Sequence, residues 1–182
     1  MKKVKQVRLS GLGGQGIVLA GLLLGQAGVM EGSHISGSNS YGAQARGSEC
    51  KAEIVFSDGP IDFPHVIRAD FLVAMSQGAY DRYCEDIRME SGLIVYDQGL
   101  VSPKVDLRVR QLGVPATEMS VKKLKNKQMA NIILLGFFAE TTKMVSTGSL
   151  RKAVVLHGGR GFQSLNLKAL QIGKDLGRRS NG

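Results

Sequence analysis

Residues 4–30 read VKQVRLSGLGGQGIVLAGLLLGQAGVM, and this stretch decides the fold. Val4 to Ser10 alternates apolar and polar side chains well enough for a β-strand. Gly11-Leu12-Gly13-Gly14-Gln15-Gly16 follows at once as a glycine-rich turn. From Ile17 to Met30 almost every residue is apolar or glycine, which predicts a helix buried on most sides. Each glycine inside that helix costs about 1 kcal/mol relative to alanine, so close packing at Gly21, Gly25 and Gly28 must compensate. A strand, a glycine turn and a buried helix are the opening of a Rossmann-like domain.

Downstream, Gly32 to Glu49 (GSHISGSNSYGAQARGSE) is polar, rich in glycine and serine, and without useful periodicity. It is expected to be a long loop, and loops of more than about 12–15 residues inside compact domains are usually either functional or mobile. Lys51 to Ser57 and the continuous apolar run Ala69 to Met75 predict strands, the second suited to the middle of a parallel sheet. Ser76 is placed to cap a short helix running towards Tyr83 and Cys84. Leu93 to Tyr96 predicts another strand, and Asp106 to Leu112 a strand near an edge. Met129 to Ala139 reads as an apolar helix, and Leu150 to Val155 and Ser164 to Asp175 as closing helices. Strand and helix in alternation predict an α/β fold with an open, mostly parallel sheet and helices on both faces. A single domain spanning residues 1–182 is expected, without internal repeats.

With 43% hydrophobic and 21% charged residues the composition is that of a folded domain. Every apolar run is interrupted before the ~20 residues that span a bilayer, and the basic N-terminus lacks the apolar core of a signal peptide. A cytoplasmic location is the expectation. Two cysteines, Cys50 and Cys84, fall short of the roughly four that a [4Fe–4S] cluster takes. The three histidines, His34, His65 and His157, show no metal-binding spacing. The net charge of +9 is uneven: residues 1–103 hold nine Lys/Arg against eleven Asp/Glu, residues 104–182 fifteen against four. Such a basic half suits a solvated surface, an anionic ligand or an acidic partner. Its few aromatics (Phe137, Phe138, Phe162) offer no stacking platform for nucleic acid.

Three segments carry the chemistry. Gly11-x-Gly13-x-x-Gly16 has the spacing and context of a dinucleotide fingerprint, and its glycines allow a phosphate to approach the helix N-terminus. A nicotinamide site also needs an acidic residue at the end of the second strand; Glu31 is the candidate, and no clear strand follows it. Another phosphate-bearing ligand, or a purely structural turn, fits these residues better than a dinucleotide. In Ser40-Tyr41-Gly42-Ala43-Gln44-Ala45-Arg46-Gly47, Arg46 can offer a forked donor to phosphate or carboxylate, with Ser40 and Tyr41 adding hydroxyls. The plain alternative is a surface loop. Ser76 and Gln77 sit just after an apolar strand, where open α/β sheets place ligands; Ser76 can equally be only a helix cap. With no GxSxG elbow and no histidine paired with Ser76 in sequence, nothing points to a serine hydrolase.

GLGGQG, then SYGAQARG some thirty residues later, then ADFLVAMSQGAYDRY occur in this order in a known family. Together with NLKALQIGK near the end, they resemble the γ subunit of the 2-oxoacid:ferredoxin oxidoreductases over nearly the whole chain. The SYGAxARG form is most similar to the 2-oxoglutarate enzymes, with pyruvate and branched-chain enzymes as neighbours. The resemblance implies a complex that oxidatively decarboxylates a 2-oxoacid with coenzyme A to an acyl-CoA and passes electrons to ferredoxin. It places thiamine diphosphate and [4Fe–4S] centres on the α, β and ferredoxin-like δ subunits. This chain would be inactive alone and would help to receive coenzyme A through Gly11, Gly13, Gly14, Gln15, Gly16, Ser40, Tyr41, Gly42, Arg46, Ser76 and Gln77. Gln44 stands where an acidic residue is frequent, and Ser48 where a glycine is. No nucleic acid or membrane partner is implied, and surface bared by removal from a complex favours self-association of the isolated chain. A nucleotide- or NAD(P)-binding regulatory module without its own reaction is the alternative reading.

Overall fold

β1 (Val4–Leu12) runs through the glycine turn into α1 (Ile17–Met30), as the sequence predicts. This geometry comes from a computed structural model that describes residues 3–42, 47–159 and 161–180. β2 (His34–Tyr41) and β3 (Glu49–Ser57) come next, then β4 (Phe71–Ala74), α2 (Gln77–Tyr83), β5 (Leu93–Asp97) and β6 (Arg110–Val114). The remainder is helical: α3 (Ala116–Leu124), a 3-10 turn at Lys127–Met129, α4 (Ala130–Thr142), α5 (Thr147–His157) and α6 (Gln163–Ser180).

The strands form one sheet in the order β2-β3-β1-β4-β5-β6. β1, β4, β5 and β6 are mutually parallel, while β3 is antiparallel to both β1 and β2. The sheet is thus mixed and mostly parallel. β4 and β5 sit centrally because their apolar residues can be buried on both faces. One face carries the main core, built by Val7, Leu9, Ala52, Ile54, Val73 and Val95 beneath α1, α4, α5 and α6. The other face is covered mainly by α2, whose Tyr80 and Tyr83 pack with Cys84 and Ile87 on Leu72, Ala74 and Ile94. Helices lie on both faces, unequally.

Two local expectations need correction. The polar stretch Gly32–Glu49 is not a loop throughout: residues 34–41 form β2, paired with β3 from His34↔Ser57 to Tyr41↔Cys50. Its partner supplies backbone hydrogen bonds, so β2 needs little apolar side chain of its own; Ile35 alone packs on the main core. The strand expected at Asp106–Leu112 starts four residues later, at Arg110. α3, ahead of α4, is an element with no counterpart in the sequence reading: only Ala116 and Ser120 of it are buried, so it shows little apolar periodicity.

α1 holds the turn against the sheet through close contact. A Cβ at Gly21 would lie 2.5 Å from the Ala52 Cβ, so glycine lets the helix backbone rest on β3. At its far end, the Glu31 carboxylate accepts the Ser146 N–H (2.8 Å) just ahead of α5. Burial pushes the Glu31 carboxyl up, but hydrogen bonds from the Ser146 and Ser149 hydroxyls and the Ser146 N–H outweigh it and bring it below its ordinary value. A lowered folded value means that Glu31 stabilises the fold above the unfolded value near ~4.3 and ceases to do so as pH falls through the folded one. Denaturation of the wild type and Glu31→Gln from neutral to acidic pH is expected to show a stability gap that closes across that window. A gap that widens on acidification would refute this.

Candidate functional site

The turn projects from the carboxyl end of β1 into the N-terminus of α1. Gly14 (φ 93°) and Gly16 (φ 74°) both have left-handed backbone conformations that favour glycine. Gly16 caps α1 without any side-chain hydrogen bond, and the first turn of α1 contains no acidic residue. The positive end of the helix dipole is therefore not neutralised by the helix's own side chains.

Beside this N-terminus is a cleft of about 640 Å³. Gly13, Gly14 and Gly16 form one wall, with the first residues of α1. Tyr41 and Cys50, opposite each other in the β2–β3 register, supply the sheet side. Met129 and Asn131 come from the entry to α4, and His157, Phe162 and Asn166 from the α5–α6 junction. Among the described lining residues there is no lysine or arginine, so backbone N–H groups and the helix dipole are the anion-attracting elements. A cleft of this size with apolar walls and a few convergent polar groups suits a ligand carrying both a flat apolar part and a phosphate.

Asn131 ties the cleft together. It is buried, and its Nδ2 donates to the Gly16 carbonyl at 3.0 Å while its Oδ1 accepts the Ile132 N–H at 2.8 Å. A Cβ on residue 16 would run into this carboxamide, so the space as well as the φ of Gly16 excludes a side chain. Asn166 plays a parallel part, donating to the Gly158 carbonyl at 2.7 Å.

The expected site residues divide. Gly13, Gly14, Gly16 and Tyr41 line the cleft. Gly11 and Gln15 do not; they build its support. The Gln15 carboxamide accepts the Leu12 N–H (2.6 Å) and donates to the Met75 carbonyl (2.8 Å), locking the turn to the end of β4. Ser40 points to the sheet face opposite Tyr41, as alternation requires. Gly42 closes the hairpin, its N–H donating to the Glu49 carbonyl. Ser76 caps α2, its hydroxyl accepting the Ala79 N–H (3.2 Å), and Gln77 bonds Ser102 and Asp81; neither lines the cleft. Arg46 and Gln44 lie outside the described residues. Asn131, His157 and Phe162 had no motif to betray them, and Asn166 opens the NLKALQIGK segment without any sign of its part in the cleft; an asparagine inside the apolar run MANIILLGFFA was the available signal.

Two cofactor questions can be put to the geometry. A dinucleotide site needs an acid at the end of the parallel strand next to β1. Here the strand after α1 lies at the sheet edge, separated from β1 by antiparallel β3, and it ends in Ser40-Tyr41. Glu31 is engaged at the opposite end of α1. Cys50 and Cys84 lie in separate cores on opposite faces, and no group of three or more metal-binding side chains occurs among the described residues. Those residues do not fit an iron–sulfur cluster. Burial pushes the Cys50 thiol up, against the opposing effect of the Val18 N–H. Among the described residues no helix is long and apolar enough to cross a membrane.

Residues 6–176 match the family model described as pyruvate ferredoxin/flavodoxin oxidoreductase. The 2-oxoglutarate synthase subunit KorC of Methanocaldococcus jannaschii is 41% identical over 183 residues, covering 98% of this chain and 96% of the relative. The gamma subunit of a keto/oxoacid ferredoxin oxidoreductase from Geobacter sulfurreducens has a TM-score of 0.84 at 31% identity, covering 96% of this chain and 99% of that one. The 2-oxoglutarate:ferredoxin oxidoreductase of Magnetococcus marinus, solved with 2-oxoglutarate, coenzyme A and succinyl-CoA bound, shares the fold. Its TM-score is 0.86 at 22% identity, covering 98% of this chain and 32% of that one.

Proposed function

Because the chain belongs to the pyruvate ferredoxin/flavodoxin oxidoreductase family, we propose that it is the gamma subunit of a 2-oxoglutarate:ferredoxin oxidoreductase. The assembled enzyme decarboxylates 2-oxoglutarate oxidatively, joins the acyl group to coenzyme A and passes two electrons to ferredoxin. The observation that carries the substrate is the 41% identity to a 2-oxoglutarate synthase subunit along the full chain. Thiamine diphosphate and iron–sulfur centres fall to the α, β and δ subunits, in keeping with the separation of Cys50 from Cys84. The cytoplasm is the compartment that suits such a complex.

Within it, this chain contributes the cleft at the N-terminus of α1 as a receiver for coenzyme A. The uncapped helix end with Gly13 and Gly14 takes the diphosphate, Arg46 adds a forked cation, and the apolar walls near Met129 and Phe162 hold the less polar part of the molecule. The test uses the assembled complex. Gly14→Val, Arg46→Ala and Tyr41→Ala are each expected to raise KM for coenzyme A. For Arg46→Ala the rise is about tenfold or more, the loss of one charge-assisted hydrogen bond of roughly 1.5–3 kcal/mol. KM for 2-oxoglutarate should stay as in the wild type. Tyr41 is 72% exposed, so its removal leaves packing intact and guards against misreading a folding defect. Unchanged coenzyme A kinetics in all three variants would sink the assignment. Turnover of pyruvate or a branched-chain 2-oxoacid in preference to 2-oxoglutarate would overturn the substrate.

A further inference from the structure

β2 lies at the edge of the sheet, and β3 is its sole strand partner among the described residues. Its other edge therefore presents a row of backbone donors and acceptors. Natural edge strands are usually blunted by lysine, proline, a bulge or shortness. β2 has eight residues, HISGSNSY, with no lysine and no proline, and its register with β3 runs unbroken. Beside it lies α1, whose Leu22 (46% exposed) and Val29 (54% exposed) continue an outward apolar line from Val18. A groove of about 320 Å³ separates helix and strand, bounded by Leu22, Gln26 and Val29 above and Ile35, Gly37 and Asn39 below.

We propose that this face joins two copies of the chain: β2 of one pairs antiparallel with β2 of the other, and the two α1 helices pack across the same two-fold axis. An antiparallel edge pair is self-complementary, because each strand offers its two-fold mate the same alternation of N–H and C=O groups. A two-fold axis perpendicular to the sheet keeps both α1 helices on one side, where Leu22 and Val29 of each copy cover the groove of the other. Charge selects the same partner. Each copy carries a net +9 and is repelled by its like over most of its surface. α1 has no charged side chain in its fourteen residues, and β2 has no lysine, arginine or carboxylate. Two copies can therefore meet here without placing like charges opposite each other. Val18 and Tyr41, at one end of this face, also line the coenzyme A cleft, but the pairing stands without the coenzyme A assignment, and the substitutions below leave both residues in place.

The test begins with the full-length chain, by sedimentation and light scattering over a wide concentration range. The wild type is expected at twice its 19.5 kDa mass. Leu22→Glu/Val29→Glu, and separately Asn39→Lys, are expected to run as monomers with the circular dichroism and melting temperature of a folded chain. Two variants on different elements keep the result readable if one fails to fold. In the assembled complex, Asn39→Cys with a short thiol cross-linker should join two copies of this chain. A monomeric wild type, a dimer that survives both sets of substitutions, or a cross-link running only to a different subunit would each overturn the proposal.

Discussion

Gly173→Ala is expected to destabilise the protein by about 3 kcal/mol, the upper end of what overpacking costs. α4 and α6 approach so closely that a Cβ on residue 173 would stand 2.8 Å from the Phe137 nitrogen and 2.9 Å from the Ile133 carbonyl carbon, with the Ile133 oxygen nearer still. These are backbone atoms of a helix whose residues Ala130 to Glu140 are all buried, so no flexible side-chain end can swing away. Gly136 repeats the constraint from the other side: its Cβ would meet the Leu170 carbonyl oxygen at 2.5 Å. The whole of α6 would have to lift, and with it the packing around Asn166 at the cleft. For a chain of this length the midpoint of thermal unfolding should fall by roughly 6–12 °C. Gly148→Ala in α5 is the control. A Cβ there meets only the Ser146 Oγ at 3.6 Å, and alanine should stabilise that helix by about 0.5–1 kcal/mol. The same chemical change is thus expected to act with opposite sign at two helical glycines, and equal denaturation midpoints for the two variants would contradict the close approach.

Glu53→Gln is expected to cost about 3–5 kcal/mol, because it strands a buried guanidinium. Arg8 in β1 and Glu53 in β3 are register partners on the face opposite the main core. Arg8 Nε donates to Glu53 Oε1 at 2.7 Å, and both residues are under 10% exposed. Lys51 Nζ lies 3.2 Å from the other carboxylate oxygen, and the Arg8 guanidinium rests over the Tyr83 ring at 4.5 Å. Its Nη1 has Asp86 at 3.6 Å but no hydrogen bond. Removing the Glu53 charge leaves Arg8 with little to offset its desolvation. Arg8→Met/Glu53→Leu should recover most of the loss, since two apolar side chains can fill the space of the pair without an unpaired charge. A double-mutant cycle by urea denaturation measures the coupling. Single substitutions that each cost less than the ~1 kcal/mol of an exposed ion pair would show that the pair is effectively solvated. Tyr83 belongs to this network: burial, followed by its hydrogen bond to Glu49, pushes its hydroxyl up to about 12, so it stays protonated and donates throughout the neutral range.

The opening turn, α1 and the Ser76 cap of α2 were legible in the sequence because each is a local event. Backbone at positive φ at Gly14 and Gly16, an apolar run of helical length, and a serine before a short helix all act within a few residues. The same locality made the family resemblance readable, since its three motifs are such local segments. β2 was hidden for the converse reason. Its eight residues carry little apolar periodicity, and the strand exists because β3 pairs with it, so only the partner's position reveals it. Asn131 was hidden because its meaning lies 115 residues away, at the Gly16 carbonyl. Gly173, within the closing helix expected at Ser164 to Asp175, carries no local signal of its role, which depends on the contact with α4.

By itself, then, the sequence determined the chemistry offered to a ligand: a glycine turn at an uncapped helix N-terminus, supplied by groups within one short segment. Tertiary structure alone decided which of the expected residues share a space. Packing brought Tyr41 to the cleft and sent Ser40 to the opposite face, and it turned Gln15 into a strut between β1 and β4. It also closed the cleft with α4 and the α5–α6 junction. The reason is physical. Turns and helix ends are set by neighbours in the chain, whereas the pairing that makes β2 a strand and the company each side chain keeps are set by strand register and helix contact, which join residues far apart in sequence.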